Sequence, residues 1–328
     1  MSVSILVGDV RDRLRQLPTQ SFDCVVTSPP YWGLRDYGVA GQIGLEPTLG
    51  EHLAVMVDVF REVRRVLKVH GTLWLNYGDC YATSPNGRAA AEVTGDDRTF
   101  RDKPFSTIGG VLKPKDLCML PNRLAIALQE DGWWVRSEII WNKTNPKPES
   151  VFDRLAAVHE KIWLLTKSEV YFYDVEALKE PVTGGAHARR KDGQYRPAKG
   201  KASNNNRPGS WVETYVPDFR NGRNVWTFNI EGYREAHFAT FPRELARKCM
   251  AAGTPKTVCG ACGSAGECGG LCLVYGRKPG HVLDPFGGAG TVGLVADQLG
   301  LDATLIELNP AYAEIAGRRI EAGKAVAA

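Results

Sequence analysis

The sequence has no long hydrophobic run. None of its segments approaches the roughly 18 uninterrupted apolar residues that a membrane span needs. Its first residues, MSVSILVGDVRDRL, carry neither a basic lead nor a small-residue cleavage site, which argues against a signal peptide. We therefore expect a cytoplasmic protein with no membrane partner.

Excess charge of one sign is also scarce. The formal net charge is +4 and the sequence pI is about 8.6. This mild excess does not by itself indicate a nucleic-acid partner, so any such indication has to come from local clustering. The chain contains no internal repeat. Its 328 residues, 43% of them hydrophobic, suffice for one large α/β domain or for a domain with an insert.

Cysteine is sparse outside one cluster. Four of the eight cysteines are scattered, and the other four lie close together among glycines. A cytoplasmic protein with one metal site explains this division better than a disulfide scaffold does. Four thiolates suit a closed structural zinc site, and the predicted ligands are Cys259, Cys262, Cys268 and Cys272. The alternative, four reduced cysteines without a metal, stays open.

The hydrophobic pattern alternates between the periods of strands and helices. Strands are predicted at residues 2–8, 22–28, 72–77, 133–142, 161–166, 281–285 and 303–307, and helices at 51–69, 121–130, 291–299 and from 310 onward. Such alternation predicts an α/β fold with a doubly wound, mostly parallel sheet.

Two stretches interrupt this alternation. Residues 84–115 are polar and rich in glycine, proline and charge, and are too long for an ordinary connection. Residues 184–223 contain nine Lys or Arg against three acidic residues. By itself the second stretch fits a solvated insert as well as a nucleic-acid contact.

A glycine-rich turn near the C-terminus predicts a cofactor site. The segment HVLDPFGGAGT reads as a strand, a turn and a helix start, and Glu307 ends the next strand seventeen residues after Gly290. A carboxylate at that spacing suits ribose hydroxyls. The third glycine of the dinucleotide fingerprint is missing, and no lysine of the nucleotide-triphosphate type follows, so S-adenosylmethionine is favoured. The predicted contacts are Asp284, Phe286, Gly288, Gly290 and Glu307.

A proline-rich turn near the N-terminus predicts the chemistry. The strand FDCVV runs into TSPPYW, and consecutive prolines restrict the backbone so that carbonyl oxygens are held outward. The Ser28 hydroxyl and the Pro29 carbonyl can accept the two N–H bonds of an amino group on a base, while Pro30 stiffens the turn. Tyr31 offers a flat ring on which an extruded base can stack. An ordinary turn with a packing tyrosine is the bland alternative.

The order of the two motifs, with TSPPYW early in the chain and DPFGGAGT late, resembles that of the permuted, β-type amino-methyltransferases of restriction–modification systems and phages. The resemblance covers nearly the whole chain, through ILVGD, through NKTNPKPESVFDRLAAVHEKIWLLTKS and through HFATFPREL. It implies a circularly permuted, Rossmann-like methyltransferase fold that uses S-adenosylmethionine. It also implies that Asp9 approaches the cofactor adenine and that Phe241 and Pro242 wall its methionine end.

The resemblance further implies a division of the chain. Residues 1–180 would form the catalytic half, 181–230 a target-recognition insert, and 231–328 the cofactor half with a cysteine-rich loop at 257–273. The basic insert then becomes a predicted DNA contact. The residues expected at DNA phosphates are Lys143, Lys147, Arg189, Arg190, Lys191, Arg196, Lys199 and Lys201.

Ser28 determines the predicted target base. Relatives that act on adenine usually carry aspartate at this position, and relatives with Ser-Pro-Pro mostly methylate N4 of cytosine. The prediction is therefore cytosine N4 in double-stranded DNA, reached by base flipping and associated with the nucleoid through that DNA. Adenine N6, methylation of RNA or of a protein amide, and an inactive DNA-binding module are the alternatives. A homodimer and a cognate restriction endonuclease for the same site are left open.

Overall fold

A computed structural model describes residues 2–34, 36, 38–84, 105–182, 189–190, 214–215, 218–233, 242–266, 268 and 270–327. The chain forms two compact units. The first combines Met1–Asp174 with Asn224–Ala328, and the second is Val175–Arg223. Within the described residues, no helix has both the length and the apolar character needed to cross a membrane.

The strands and helices follow one another along the chain much as the hydrophobic pattern predicts. The described strands are β1 Val3–Val7, β2 Phe22–Thr27, β3 Leu67–Tyr77, β4 Trp134–Lys143, β5 His159–Thr166, β6 Glu180–Pro181, β7 Arg189–Arg190, β8 Thr214–Tyr215, β9 Phe219–Arg220, β10 Val225–Phe228, β11 Thr257–Cys259, β12 Arg277–Pro279, β13 His281–Asp284 and β14 Asp302–Glu307. The described α-helices are α1 Val10–Gln16, α2 Leu49–Val66, α3 Leu120–Glu130, α4 Arg243–Gly253, α5 Thr291–Gln298 and α6 Pro310–Ala327. Glu176–Leu178 and Gly270–Tyr275 are short 3₁₀ helices.

Eight strands form the central sheet of the first unit, in the order β1-β14-β13-β2-β3-β5-β4-β10. The first five strands pair in parallel, β5 runs antiparallel to both of its neighbours, and β10 pairs in parallel with β4. The predicted fold class, a mostly parallel α/β sheet, is confirmed.

Helices cover both faces of this sheet. Successive residues of a strand point to opposite faces, and β3 shows the consequence. Leu73 belongs to the core that packs against α1, α2 and α3. The Thr72 hydroxyl next to it donates to the carbonyl of Gly253, in α4, at 3.1 Å. The sheet is therefore doubly wound.

The end of α2 differs from the prediction. The sequence predicts a helix at 51–69, but α2 ends at Val66 and the strand β3 begins at Leu67. Leu67 is fully buried and pairs with Phe22, and the Lys68 ammonium reaches the Asp23 carboxylate at 2.6 Å. These tertiary contacts outweigh the helical periodicity. The start of α2 is set by a capping box between Thr48 and Glu51.

The described residues of the second unit form two short antiparallel pairs, β6 with β9 and β7 with β8. Glu180 organises part of it, since its carboxylate accepts from the guanidinium of Arg223 at 2.8 Å and forms an ion pair with Arg220 at 3.4 Å. The unit overlaps the insert expected at 181–230, whose role as a recognition region stays a prediction.

Candidate active site

A cavity of about 980 Å³ lies along the carboxyl edge of the central sheet. Strands β1, β2, β3, β4, β13 and β14 all end at this edge, and β5 begins there. Open α/β sheets bind their ligands at such an edge. The cavity wall is made by residues 28–31, 76–79, 285–289 and 306–309, among others. The two predicted motifs therefore face one common space.

The Ser28-Pro-Pro-Tyr31 turn follows β2 directly and lies on the cavity wall. The Ser28 hydroxyl is 3.5 Å from the Tyr31 hydroxyl. Tyr31 is half-buried, and its ring meets the ring of Tyr77 edge-on, with centroids 5.1 Å apart. Burial, together with the charge of nearby Glu160, raises the pKa of Tyr31 well above its ordinary value. Tyr31 therefore keeps its proton and acts as a hydrogen-bond donor.

Glu160, the second residue of β5, accepts hydrogen bonds from several polar groups of the pocket. One carboxylate oxygen accepts from the Tyr31 hydroxyl and from the Asn76 amide, each at 3.1 Å. The other accepts from the Lys143 ammonium at 2.5 Å. Lys143, predicted at a DNA phosphate, is thus ion-paired inside the cavity and is largely buried.

Sequence reasoning missed Glu160. The available signal was an acidic residue that is followed by Lys161 and then by the mostly apolar run IWLLT. Charged residues there are typical of the solvated end of a strand, unless the cationic partner of Glu160 on the neighbouring strand is known.

A buried polar chain supports the turn from behind. His52 is fully buried in α2, and its two ring nitrogens lie 2.8 Å from the Glu46 carboxylate and 2.6 Å from the Tyr77 hydroxyl. The Trp32 indole donates to the Glu46 carbonyl at 2.8 Å. Sequence reasoning missed this chain as well, because its members are separated by up to 45 residues of chain between Trp32 and Tyr77.

Asp284 connects the two motifs. It is 1% exposed, and one of its carboxylate oxygens accepts from the Thr27 hydroxyl at 2.7 Å and from the Phe286 backbone N–H at 3.0 Å. Burial raises the pKa of Asp284 to about 7. Asp284 therefore lies beneath the glycine turn and holds it against the end of β2, while Phe286 lies on the cavity wall.

Glu307 lies on the cavity wall at the end of β14. Its two carboxylate oxygens accept from the backbone N–H groups of Gly288 and Asn309, each at 2.8 Å, and burial raises the pKa of Glu307. The bond to Gly288 needs a left-handed backbone, with φ of 49°, which glycine adopts without strain. Turn and carboxylate are therefore fixed relative to each other.

The other predicted cofactor residues occupy different surroundings. Asp9 lies on the cavity wall, where Arg11 holds its carboxylate through bonds of 2.9 and 2.6 Å and thereby lowers its pKa. Gly290 caps α5 with φ of 75° and packs against Ala316. Pro242 is buried at the start of α4, and Phe241 lies outside the described residues.

The predicted DNA contacts are only partly described. Lys147 lies on the cavity wall. Arg189 and Arg190 form the short strand β7. Lys191, Arg196, Lys199 and Lys201 lie outside the described residues. The side chains of Trp141, Trp163 and Trp226 are buried.

Comparison with known proteins identifies close relatives over nearly the full chain. Residues 22–318 match the DNA methylase family of N6 and N4 methyltransferases. Type II methyltransferase M.SmaI of Serratia marcescens is 42% identical over 319 residues, which cover 97% of this chain and 91% of the relative. Type II methyltransferase M.Cfr9I of Citrobacter freundii is also 42% identical, over 97% of this chain and 87% of the relative.

Two of the solved structures that share this fold match nearly the whole chain. The cytosine-N4-specific PvuII DNA methyltransferase is 15% identical, with a TM-score of 0.59 over 99% of this chain and 91% of that one. A putative DNA modification methylase of Thermus thermophilus, whose crystal structure contains S-adenosyl-L-methionine, is 22% identical, with a TM-score of 0.53 over 98% and 96%. At these identities the likeness shows the fold alone.

Proposed function

This chain belongs to the DNA methylase family of N6 and N4 methyltransferases, and from that premise we propose that it methylates the exocyclic N4 of cytosine at a specific site in double-stranded DNA. The observation that carries the proposal is one cavity that is lined both by the Ser28–Tyr31 turn and by Gly288 and Glu307. A methyl acceptor and a methyl donor must meet in one such space, because an in-line transfer requires the reacting atoms in near contact.

The residues at the glycine turn fit S-adenosylmethionine. The Glu307 carboxylate is held by two backbone N–H groups on the cavity wall, where it can accept hydrogen bonds from ribose hydroxyls. The ring of Phe286 provides an apolar wall beside it. Asp9, at the end of the adjacent strand β1, would face the adenine end. When bound, S-adenosylmethionine supplies a methyl group activated by a positively charged sulfur, so the protein's task is binding and orientation.

The Ser28 turn suits an amino group as acceptor of the methyl group. The lone pair of such a nitrogen is delocalised into the base, and acceptors beside its two N–H bonds draw the nitrogen toward a tetrahedral geometry. The Ser28 hydroxyl and the Pro29 carbonyl serve as these acceptors. Tyr31 then holds the turn in place, since its hydroxyl is fixed by Glu160 at 3.1 Å.

We assign Glu160 and Lys143 a positioning role in this reaction. Without a cationic partner, the Glu160 carboxylate would carry a full negative charge in this pocket. That charge would attract the protons of Tyr31 and Asn76 more strongly and would repel the phosphates of DNA. The Lys143 ammonium at 2.5 Å cancels that charge, and the neutralised pair still accepts from Tyr31 and Asn76. Lys143 thus acts inside the pocket, whereas Lys147 remains a candidate for phosphate contact.

The choice of cytosine over adenine rests on the resemblance at Ser28. Both bases present an amino donor beside a ring acceptor, so the hydrogen-bonding edge alone does not distinguish them.

Recognition of the surrounding sequence is assigned to the basic insert. A target base reaches the cavity by leaving the duplex, which such enzymes achieve by base flipping.

The decisive experiment is mass spectrometry of nucleosides from DNA methylated in vitro with the purified protein. N4-methylcytosine is the expected product. N6-methyladenine without N4-methylcytosine would contradict the choice of base and leave the methyltransferase assignment intact. Absence of any methylated nucleoside, with cofactor binding verified by calorimetry, would contradict catalysis itself. Sequencing of the modified DNA in the same reaction identifies the target site.

A further inference from the structure

The four clustered cysteines converge on one point in the structure. The sulfur atoms of Cys259, Cys262, Cys268 and Cys272 all lie within 4.8 Å of one another. All four are free thiols, and the sulfurs of Cys262 and Cys268 are 3.4 Å apart. A disulfide would need about 2.05 Å between sulfurs. Four sulfurs around a zinc ion at about 2.3 Å would lie about 3.8 Å apart, a spacing that matches this cluster.

The backbone at Cys259 forms a closed turn. Its two closing bonds run from the Gly263 N–H to the Cys259 carbonyl at 2.9 Å and from the Cys259 N–H to the Ser264 carbonyl at 2.8 Å. These bonds hold Cys259 in place, with its sulfur within 4.8 Å of the other three sulfurs.

A second set of bonds holds the loop that carries Cys268. The Arg277 guanidinium donates to the carbonyl oxygens of Ala265 and Gly266 at 2.8 and 3.1 Å, and to that of Thr257 at 2.7 Å. It thereby fastens the loop to the β11–β12 hairpin, which also carries Cys259. Both parts of the sulfur cluster thus share one rigid support.

We propose that these four thiolates bind one zinc ion in a closed, tetrahedral structural site. The site belongs to the loop between α4 and β13. The hairpin leads through Gly280 into β13 at the amino end of that strand, and Gly280 accepts a backbone bond from Asp302 at 3.0 Å. The cavity lies at the opposite, carboxyl end of β13. Zinc therefore stabilises the loop that leads into β13, the strand before the glycine turn, and takes no part in methyl transfer.

The first test is metal analysis of the full-length protein purified without chelator. One zinc per chain is expected, and cobalt exchanged into the site should give the visible absorption bands of tetrahedral cobalt thiolate. A content well below one zinc per chain after growth with added zinc would overturn the proposal. Iron bound in place of zinc, or two disulfides found by thiol titration, would overturn it as well.

Variants separate a ligand role from a merely structural role. Cys262→Ser combined with Cys268→Ser should lose the zinc, whereas Cys272→His, which keeps a metal-binding group, should retain most of it. Lys278→Ala, an exposed neighbour on β12, is the matched control and should bind zinc like the wild type. Retention of zinc by the double variant would contradict the assigned ligands.

The structural role has its own readout. Removal of zinc by a chelator should lower the melting temperature by more than about 5 °C, because a ligand that binds only the folded chain stabilises it. Methyl transfer measured at low temperature, per folded molecule, should change by less than about twofold. A large loss of transfer from protein that remains folded would show that the metal does more than hold the loop.

Discussion

Glu160 is the residue on which the polar side chains of the cavity converge, and its charge can be removed without changing its shape. Glu160→Gln keeps an acceptor for Tyr31 but loses the ion pair with Lys143. We expect kcat to fall about tenfold or more, since a charge-assisted bond is worth roughly 1.5–3 kcal/mol. Affinity for S-adenosylmethionine should change by less than about twofold, because the cofactor residues lie on other strands.

The matched control is Glu138→Gln on β4. Glu138 is also ion-paired to a lysine of β5, Lys161 at 2.5 Å, but it is 40% exposed. Exposed pairs of this kind contribute little, so this variant should keep its kcat. Steady-state kinetics with saturating DNA and cofactor distinguish the two variants. Equal kcat for both would remove Glu160 from the positioning role.

Asp284 gives a prediction about pH. Burial raises its pKa from 3.8 to about 7 in the folded protein. As pH rises from about 4 to about 7, the unfolded chain releases this proton while the folded chain retains it, so Asp284 lowers folding stability over that window. Asp284→Asn can still accept from Thr27 and Phe286 and does not titrate. The variant should therefore gain stability relative to the wild type over that window, by at most a few kcal/mol.

Denaturant unfolding of the cofactor-free protein at several pH values measures this difference. The gain of the variant should be near zero at about pH 4, grow up to about pH 7, and then level off. A difference that stays constant across this range would contradict a protonated, buried carboxyl beneath the turn.

At the scale of elements, we expect the basic segment at residues 184–209 to contribute to the affinity for DNA. Lysines and arginines that neutralise phosphates make binding depend on salt, with a log–log slope of about 0.9 for each phosphate. Deleting residues 184–209 should lower both the affinity and the slope, as measured by fluorescence anisotropy at several salt concentrations.

Point substitutions refine this test. Lys199→Gln with Lys201→Gln should lower the slope by about 1 to 2. Lys256→Gln with Lys278→Gln, on exposed positions in and beside the β11–β12 hairpin, removes the same charge elsewhere and should have little effect. If the deletion left both affinity and slope intact, the segment would be a solvated insert without a DNA contact.

In the molecule as a whole, one hydrogen bond links the catalytic turn to the cofactor turn. Thr27 and Asp284 are 257 residues apart in the chain and 2.7 Å apart in space, because β2 and β13 are neighbours in the sheet. The order of the two motifs along the chain is therefore free, as long as their strands pair. We expect this contact to help set the geometry between the two turns.

Adjacent substitutions test the coupling between the halves. Ser28→Ala should lower kcat strongly and leave cofactor affinity nearly unchanged, since the hydroxyl acts only on the base. Thr27→Val removes the bond to Asp284 while keeping the size of the side chain, and should weaken cofactor binding about fivefold or more as well as turnover. Calorimetry measures the affinity for S-adenosylmethionine, and steady-state kinetics measure kcat. Equal cofactor affinity for both variants would contradict the coupling.

The sequence alone determined the fold class and the identity of the two motifs. The alternation of apolar periods predicts the parallel sheet, and TSPPYW and DPFGGAGT predict turns whose backbone is constrained by proline and glycine. These features are local, because steric restriction acts within a few residues. Local information therefore sufficed for them.

Only the tertiary structure decided which charges are paired. The sequence does not show that Lys143, expected at a DNA phosphate, forms an ion pair with Glu160. It also does not show that Asp284, expected at the cofactor, accepts a hydrogen bond from Thr27. The end of α2 was decided in the same way, by the burial of Leu67 and the pairing of Lys68 with Asp23. Pairing energies depend on distance and burial, and neither quantity is encoded in the spacing of residues along the chain.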